Sequence, residues 1–286
     1  MDNSYSVVMF AHNEQENIVM SVNSVFSNSD NSLDTLCVLA NGCTDDTVKI
    51  LHDLQTKYSK LNVIELDIGD KCNAWNSYVH QYASNSTVHF FVDADVRFTP
   101  QAFPLMQQAL TQNDEAWAIA GLPFSGRNID KYKDMVTNKW CLFGNCYGLK
   151  LSFLTKIKST GFKLPIGLGW IDSAITRIIY RDLEHDKKPI KGRVIYNDSC
   201  GYEFDSLSVF KLADWSLYIN RITRYRLGKM QEKYLEKLAF QHWPKDLLSI
   251  NEKILGDINK QVSWFNFRDK YLVARRIKKF MARIKQ

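Results

Sequence analysis

The sequence predicts an α/β fold, in which a mainly parallel central sheet carries helices on both faces and is followed by a C-terminal helical extension. Between residues 5 and 120, short runs of β-branched and aromatic residues alternate with stretches of helical periodicity, and each run ends in a polar turn. This alternation is typical of parallel strands joined by crossover helices. Near-continuous apolar strands indicate a sheet that is covered on both faces.

The individual elements follow from these patterns in chain order. Strands are predicted at five apolar runs, residues 5–11, 36–40, 62–66, 88–92 and 117–120. Helices are predicted between them, at residues 13–26, 44–58, 71–83 and 100–110. Farther on, residues 125–170 are glycine-rich and predict loops, whereas residues 171–180 and most of 207–240 predict helix. We expect a main domain over residues 1–228 and a helical extension over residues 229–286.

The positive charge of the chain is concentrated at its C-terminal end. The whole sequence carries a formal net charge of +6. Residues 268–286 contain eight Lys and Arg residues against Asp269 alone, which is 8 − 1 = +7, so the remaining residues carry 6 − 7 = −1. This distribution argues against a nucleic-acid-binding protein whose main surface is a basic groove.

Three features of the sequence bear on the cellular compartment. Its first residues, Met-Asp-Asn-Ser, are acidic and polar, unlike the basic start of a secretory signal. No apolar run approaches the ~18 residues that span a bilayer. The six cysteines form no Cys-x-x-Cys pair and no zinc spacing with the six histidines, which favours reduced thiols that are buried or inert. We therefore expect a cytoplasmic protein.

Two carboxylates follow the fourth predicted strand. Asp93 and Asp95 flank Ala94 directly after apolar residues, so we expect them at the carboxyl edge of the sheet, where ligands of α/β proteins bind. Carboxylate oxygens suit Mg²⁺ or Mn²⁺, which also bind water and substrate phosphates. An Asp-x-Asp spacing is also expected about once by chance in such a chain, so the position after a strand carries this prediction.

Two further segments place charged residues at helix starts. Lys71 begins the third helix, where an ammonium group would suit a diphosphate, although an isolated lysine is more often simply solvated. Asp172 begins a later helix, behind two glycines and Trp170. Asp172 is a candidate general base and Trp170 a candidate stacking platform for an acceptor. The alternative for Asp172 is an acidic residue that stabilises its own helix dipole.

The order and spacing of these segments resemble the family 2 glycosyltransferases of the bacterial type, which have the GT-A (Rossmann-like) fold, over residues 5–228. The family's first strand leads into a Pro-x-x-Asn-Glu turn, and residues 10–14 read Phe-Ala-His-Asn-Glu. Its second strand ends in Asp-(Asp/Asn)-Gly-Ser-x-Asp-x-Thr, compared with Ala-Asn-Gly-Cys-Thr-Asp-Asp-Thr at residues 40–47. A Gly-Lys-x-x-Ala-x-Asn element corresponds to residues 70–76, with aspartate in place of the glycine.

The resemblance implies roles for individual residues. The expected contacts of a nucleotide-sugar donor are Ala11, His12, Asn13, Glu14, Asn41, Lys71, Asp93, Ala94 and Asp95. Because residues 93–95 fall at the family's Asp-x-Asp, Asp95 and Asp93 are the expected ligands of Mn²⁺ or Mg²⁺. Asp172 falls at the family's catalytic base, although the glutamate that precedes this base in the family is Ile171 here.

The later segments match the family less completely. Residues 221–225 correspond to the family's Gln-x-x-Arg-Trp element, in which only Arg224 matches. The expected contacts of the acceptor or the diphosphate are Trp170, Arg221 and Arg224. Family members often add a late metal ligand, commonly histidine, which is missing from the corresponding segment here. The alternatives for that ligand are Asp198, Glu203 and Asp205.

The implied activity is the transfer, with inversion, of a hexosyl or N-acetylhexosaminyl group from a nucleotide-diphosphate sugar. A UDP-sugar is the expected donor, and the expected acceptor is a hydroxyl of a saccharide or lipid-linked molecule in surface glycan biosynthesis. One alternative is an inactive, membrane-associated binding protein on the same scaffold. Another is a sugar-phosphate nucleotidyltransferase, which should carry a Gly-rich loop with an arginine after its first strand; residues 11–18 contain neither.

The basic tail predicts contact with a membrane. If residues 267–285 are helical, apolar side chains recur every three or four residues, at Phe267, Tyr271, Ala274, Ile277, Met281 and Ile284. A basic amphipathic helix fits an anionic membrane surface. The alternative is a helix packed on the body with a solvated charged face. We therefore expect a peripheral protein at the inner face of the cell membrane, which docks through residues 267–286 and binds no nucleic acid.

Overall fold

The chain divides into two compact units in the computed structural model, which describes residues 3–205, 212–258 and 267–284. The first unit comprises Met1–Phe162 and Asp172–Ser206, and the second comprises Lys163–Ile171 and Leu207–Gln286. The expected boundary after residue 228 lies within the second unit, and the extent of a catalytic domain stays a prediction.

The first unit contains an eight-stranded sheet, counted over the described residues. Its strands are β1 (Tyr5–Ala11), β2 (Leu33–Asn41), β3 (Leu61–Leu66), β4 (Val88–Asp93), β5 (Val96–Phe98), β6 (Ala118–Pro123), β7 (Cys146–Lys150) and β8 (Val194–Phe204). They lie in the order β3-β2-β1-β4-β7-β6-β8-β5. The strands β3, β2, β1 and β4 run parallel to one another, as do β6 and β8. The pairs β4–β7, β7–β6 and β8–β5 are antiparallel.

The five predicted strands are confirmed as β1 to β4 and β6, and the sequence pattern misses β5, β7 and β8. The prediction of loops throughout residues 125–170 is wrong, because this segment contains β7 and two helices. Gly148 lies inside β7, where a Cβ would stand 2.8 Å from the Phe90 ring and 2.9 Å from Ile119. The glycine that suggests a loop is therefore explained by close packing within the sheet.

The helices of the first unit include those predicted between the strands. They are α1 (Ile18–Ser27), α2 (Thr47–Lys57), α3 (Lys71–Ser77), α4 (Ala102–Thr111), α5 (Ile129–Thr137), α6 (Leu151–Thr160) and α7 (Ile171–Tyr180), with a π-helical turn at Tyr78–Tyr82 that continues α3. The helix α7 has the predicted bounds. The helix α1 begins five residues later than predicted, because residues 13–17 form a turn that is described below.

The centre of the sheet is covered on both faces, because every residue of β1 is buried. On one face, Val7 and Met9 belong to a hydrophobic core that includes residues of α1 and α4. On the other face, the Phe91 ring of β4 packs against Trp75 of α3 and Tyr147 of β7, with ring centroids 6.2 and 5.1 Å away. These stacked aromatic rings pack α3 against β4, the strand that leads into the Asp-x-Asp turn.

A buried serine of α1 forms hydrogen bonds with the backbone at the turn between β4 and β5. The Ser21 hydroxyl is fully buried and lies 2.7 Å from the carbonyl oxygen of Ala94 and 2.8 Å from that of Val96. A hydroxyl that donates to backbone carbonyls satisfies acceptors that would otherwise be costly to bury. The backbone that carries Asp93 and Asp95 is therefore held in place from α1.

Four of the six cysteines are buried, and these are Cys37, Cys72, Cys146 and Cys200. Burial raises the pKa of the Cys37 thiol to about 12 and that of the Cys200 thiol to about 11. These two groups therefore remain protonated and unreactive at neutral pH.

The second unit is helical in its described part. It contains α8 (Leu212–Leu235), a 3-10 turn at Phe240–His242, α9 (Leu248–Asp257) and α10 (Phe267–Ile284). Leu227 of α8, Ile254 of α9 and Val273 of α10 share one hydrophobic core. The fully buried Gln231 joins this core to the segment before α7, since its side chain accepts from the Gly169 N–H at 2.9 Å and donates to the Asn251 side chain at 3.0 Å.

The apolar stripe of α10 packs inside the second unit. Ile277 is fully buried, and Ala274 and Met281 are partly buried against the same core. Tyr271 is an exception at 58% exposure. The side chains of Phe267 and Ile284, and residues 285–286, lie outside the described part of the chain. The expectation that this stripe lies open to a membrane is therefore corrected for its buried members, whereas the basic side chains Arg268, Arg275, Lys278 and Lys279 are exposed.

Among the described residues, none of the helices combines the length and the apolar character that a bilayer crossing requires.

Candidate active site

The polar turns after β1, β2, β3 and β4 meet at the carboxyl edge of the sheet. Phe10 of β1 pairs with Asp93 of β4 on one side and with Leu39 of β2 on the other. Asn41, the last residue of β2, pairs with Leu66, the last residue of β3. Four parallel strands thus end side by side, which is where α/β proteins bind ligands.

The turns after β1 and β2 are cross-linked by hydrogen bonds. Asn13 has a left-handed backbone with φ of 57°, which asparagine tolerates better than most residues. Its side-chain oxygen accepts from the Thr44 N–H at 2.7 Å, and the Glu14 N–H donates to the Thr47 hydroxyl at 2.8 Å. Because these bonds occupy residues 13 and 14, the chain forms a turn here and α1 begins only at Ile18.

The turns after β2 and β3 are joined in the same way. The Asn41 side-chain oxygen accepts from the Asp70 N–H at 3.0 Å, and His12 Nδ1 donates to the Asn41 carbonyl at 2.7 Å. Gly42 has φ of +60°, and a Cβ there would stand 2.6 Å from the Gly69 nitrogen, so only glycine fits. Asn41 is 4% exposed and holds these turns together; its contact with a donor stays a prediction.

Lys71 reaches from the start of α3 to the end of β4. Asp70 caps this helix, accepting from the N–H groups of Cys72 and Asn73. The Lys71 ammonium forms an ion pair with the Asp93 carboxylate, and it lies 5.3 Å from the centre of the Phe10 ring. The phenylalanine at the family's proline position thus supplies a cation–π contact to the lysine.

Asp172 converges on the same place from the start of α7. A Cβ on Gly144 would stand 2.7 Å from Asp172 Oδ1 and 2.8 Å from Lys71 Nζ, so both charged groups reach the same small volume beside this glycine. Burial, and then the charges of Asp172 and Asp93, raise the pKa of the Tyr147 phenol, which shows that both carboxylates act on this ring. Sequence reasoning misses Gly144, and its only sequence signal is a lone glycine after Phe143.

Asp95 differs from Asp93 in its surroundings. Its side chain is exposed, whereas Asp93 is half-buried and paired with Lys71. Burial, followed by the charges of Asp95, Asp93 and Asp45, raises the pKa of Glu14 to about 7. The negative charge of these aspartates, which adds to the effect of burial, would also attract a cation. The two carboxylates therefore differ in their surroundings, and their roles as metal ligands stay a prediction.

No group of three or more His, Cys, Asp or Glu side chains that could hold a metal forms within the described ranges. A Mg²⁺ or Mn²⁺ ion at Asp95 would consequently depend on water and on substrate oxygens, as Mg²⁺ commonly does. Of the alternatives for a late ligand, Asp205 accepts two hydrogen bonds from Arg97, at 2.9 and 3.2 Å, and Glu203 lies 3.8 Å from the same guanidinium. Asp198 is exposed on β8, and the choice stays open.

The structure gathers most of the predicted site residues in the first unit. These are Ala11, His12, Asn13, Glu14, Asn41, Lys71, Asp93, Ala94, Asp95 and Asp172. Trp170, Arg221 and Arg224 belong to the second unit. There the Trp170 ring packs edge-on against Tyr225 at 6.0 Å, and both arginines are exposed on α8.

The chain belongs to glycosyl transferase family 2, because the sequence model of that family matches residues 6–171. This range includes the four turns and the Asp93–Asp95 segment, and it ends one residue before Asp172. A comparison with curated proteins finds no significant match. The bacterial type stays a prediction.

Solved structures with a similar fold share little sequence with this chain. The mannosyltransferase PcManGT from Pyrobaculum calidifontis, in complex with GDP-Man and Mn²⁺, is 12% identical at a TM-score of 0.60, over 98% of this chain and 86% of that one. TarS 1–349 of S. aureus, in complex with UDP-GlcNAc, is 14% identical at 0.57, over 98% and 81%. GalNAc-T7 with UDP, GalNAc and Mn²⁺ is 12% identical at 0.55, over 90% and 58%. This likeness confirms the expected GT-A fold.

The raised pKa of Glu14 predicts a pH-dependent effect of Glu14→Gln on stability. Because the folded-state pKa of about 7 lies above the usual 4.5, this group stabilises the fold fully below pH 4.5 and loses that contribution as the pH rises to about 7. Because glutamine does not titrate, the Glu14→Gln variant does not lose stability in this way as the pH rises. Its unfolding free energy relative to wild type should therefore rise by ~1 kcal/mol between about pH 5 and about pH 8, after discounting for solvent screening.

Thermal unfolding at the two pH values measures this difference, with Glu16→Gln, an exposed glutamate of the same turn, as the control. An equal shift in both variants, or a relative loss of stability in Glu14→Gln at the higher pH, contradicts the account.

Proposed function

We propose that the protein is an inverting glycosyltransferase. It transfers a hexosyl or N-acetylhexosaminyl group from a nucleotide-diphosphate sugar to a hydroxyl of a saccharide or lipid-linked acceptor in surface glycan biosynthesis. The observation that carries this proposal is the convergence of Lys71, Asp93 and Asp172 beside Gly144, at the ligand-binding edge of a family 2 chain.

The donor binds along the turns after the parallel strands. The cross-linked turns at residues 11–14 and around Asn41 form a rigid rim for the nucleoside, since rigid sites lose less entropy on binding. Structural neighbours hold GDP-Man, UDP-GlcNAc and UDP. We expect a UDP-sugar, because two of these three neighbours were solved with uridine nucleotides.

Two cationic groups face the donor's diphosphate in this proposal. Mn²⁺ or Mg²⁺ bound to Asp95 would neutralise charge on the leaving diphosphate. The Lys71 ammonium, held by Asp93, supplies a second positive charge from the protein itself. In this proposal Asp93 either orients Lys71 or contacts the ribose, and Asp95 binds the metal.

The carboxylate of Asp172 acts as the base. It takes the proton of the acceptor hydroxyl as the acceptor oxygen forms a bond to the anomeric carbon. The bond between that carbon and the diphosphate oxygen breaks, and the nucleoside diphosphate leaves with the bonding electrons. Attack on the side opposite the leaving group inverts the anomeric centre. Asp172 is half-buried, and its carboxylate reaches the same small volume beside Gly144 as the Lys71 ammonium.

The acceptor contacts are expected on the second unit. Trp170 offers an aromatic face to a sugar ring, and the exposed Arg221 and Arg224 suit the phosphates of a lipid-linked acceptor or the diphosphate. The basic face of α10 supports a peripheral position at the inner face of the cell membrane. A cytoplasmic location follows from this proposal, since nucleotide sugars are the expected donors.

Calorimetric titration with UDP, GDP and CDP, in the presence and absence of Mn²⁺, tests the donor site. Wild type should bind one nucleotide in a Mn²⁺-dependent manner, because the diphosphate completes the coordination at Asp95. Asp95→Ala should weaken binding at least ~10-fold, which corresponds to ~1.4 kcal/mol. Asp53→Ala removes an exposed aspartate of α2 that has no place in the proposed site and is the matched control. If no nucleotide binds wild type under either condition, the inactive scaffold becomes the better account.

Substitution of Gly144 tests the convergence of the charged groups. In Gly144→Ala the new methyl group would press on both Asp172 and Lys71. These contacts involve the ends of flexible side chains, so the melting temperature should change little. Release of the nucleoside diphosphate from the donor should fall at least ~10-fold. The matched control is Gly256→Ala, since a Cβ at Gly256 meets nothing within 4 Å. Full activity in Gly144→Ala would refute the proposed arrangement.

A further inference from the structure

Three aromatic side chains of α8 are exposed on one side of the helix. Trp215 and Tyr218 are each 56% exposed, and Tyr225 is 42% exposed. Their spacing of three and then seven residues places all three on one side of a helix. We call these three residues the aromatic face of α8.

This exposure differs from the scattered apolar residues that any protein surface carries. In the first unit, the exposed large apolar side chains lie far apart in the chain, at Val19, Ile68, Tyr82 and Tyr196. The second unit has Leu217 exposed on α8 as well, at 52%, and Tyr271 on α10, at 58%. Apolar side chains that cluster on one element mark an interaction surface.

The aromatic face continues towards α10. Arg226 follows Trp215 by eleven residues, about three helical turns, and so lies on the same side of α8. It forms an ion pair with Asp269 at the start of α10. This ion pair joins α8 to the start of α10 within the second unit.

The charges beside the aromatic face are positive. Arg221 and Arg224 are exposed on α8, about two turns and one turn, respectively, before the helix packs into the core at Leu227. On α10, the exposed side chains of the four basic residues named above add to them. Tyrosine and tryptophan next to arginine and lysine are the side chains that lie at the boundary of anionic lipid headgroups and acyl chains.

We propose that the aromatic face of α8 is the docking surface of this protein for an anionic lipid membrane. The rings of Trp215 and Tyr218 enter the headgroup layer, and Arg221 and Arg224 bind lipid phosphates. The docking surface therefore lies on α8 and not on the apolar stripe of α10, because that stripe packs into the core of the second unit. The helix α10 contributes only its exposed basic side chains.

Docking in this way brings an acceptor platform to the lipid surface. Trp170 packs against Tyr225, and a Cβ on Gly228 would stand 2.9 Å from the Trp170 ring, so Trp170 rests directly on α8. A membrane bound to the aromatic face would present headgroup-linked saccharides next to Trp170. This last step rests on the proposed function, since it takes Trp170 as an acceptor contact; the docking surface itself does not.

Vesicle flotation with the full chain tests the docking surface. Wild type should float with vesicles that contain about 30% phosphatidylglycerol and bind much less to pure phosphatidylcholine, because the surface is basic. The double variant Trp215→Ala/Tyr218→Ala should lose at least ~10-fold in partitioning. Alanine favours helix, and both residues are exposed, so the fold should remain. Tyr82→Ala/Tyr196→Ala, which removes two exposed aromatic residues of the first unit, should float like wild type.

Three results would overturn the proposal. The first is a wild-type protein that does not float with anionic vesicles, and the second is a Trp215/Tyr218 double variant that floats like wild type. The third is a double variant whose only change is the dissociation of a dimer in sedimentation, which would make the aromatic face a contact between two copies of the chain. Nucleotide titration and flotation of the wild-type protein together separate this proposal from the enzymatic one. Flotation without any nucleotide binding supports the docking surface and contradicts the proposed activity. Nucleotide binding without flotation supports the donor site and contradicts the docking surface.

Discussion

The ion pair between Lys71 and Asp93 is the interaction on which the candidate site depends. It joins the first residue of α3 to the last residue of β4, and the Phe10 ring at the end of β1 supports the ammonium group. Both side chains are about 30% exposed, so solvent screens part of the attraction. The pair nonetheless keeps a positive charge between carboxylates that would otherwise repel one another. Without it, the site would lack the positive charge that Lys71 places beside Asp93 and in the volume that Asp172 also reaches.

This arrangement divides the acidic residues of the edge into different roles. Asp93 is occupied by Lys71, whereas Asp95 is exposed and is one source of the charge that raises the pKa of Glu14. The two aspartates of one short motif therefore have different surroundings, because Asp93 is the last residue of β4 and Asp95 lies beyond the end of that strand. The Ser21 hydroxyl bonds to the carbonyl oxygens of Ala94 and Val96, and these contacts hold the backbone that carries the two aspartates in place.

The sequence predicts the parallel half of the sheet well, because β1 to β4 are apolar runs that each end in a polar turn. Beyond β4 it predicts only β6, and it misses β5, β7 and β8. β7 contains Gly148, which suggests a loop but is required by the Phe90 ring of the neighbouring strand. The motif residues of the turns are found from their resemblance to a family, whereas Gly144 and Ser21 are not, since their roles consist of a close approach and a backbone contact. Tail residues that looked available to a membrane, such as Ile277, are buried by packing that periodicity alone does not reveal.

A crystal structure of the protein with UDP and Mn²⁺, recorded with the anomalous signal of manganese, tests the central claim most directly. We predict one manganese peak bound by the Asp95 carboxylate and by diphosphate oxygens, with the Lys71 ammonium near the same diphosphate and the base along the turns that contain Asn13 and Asn41. A nucleotide bound away from this edge of the sheet, or manganese that is held without Asp95, would contradict the account.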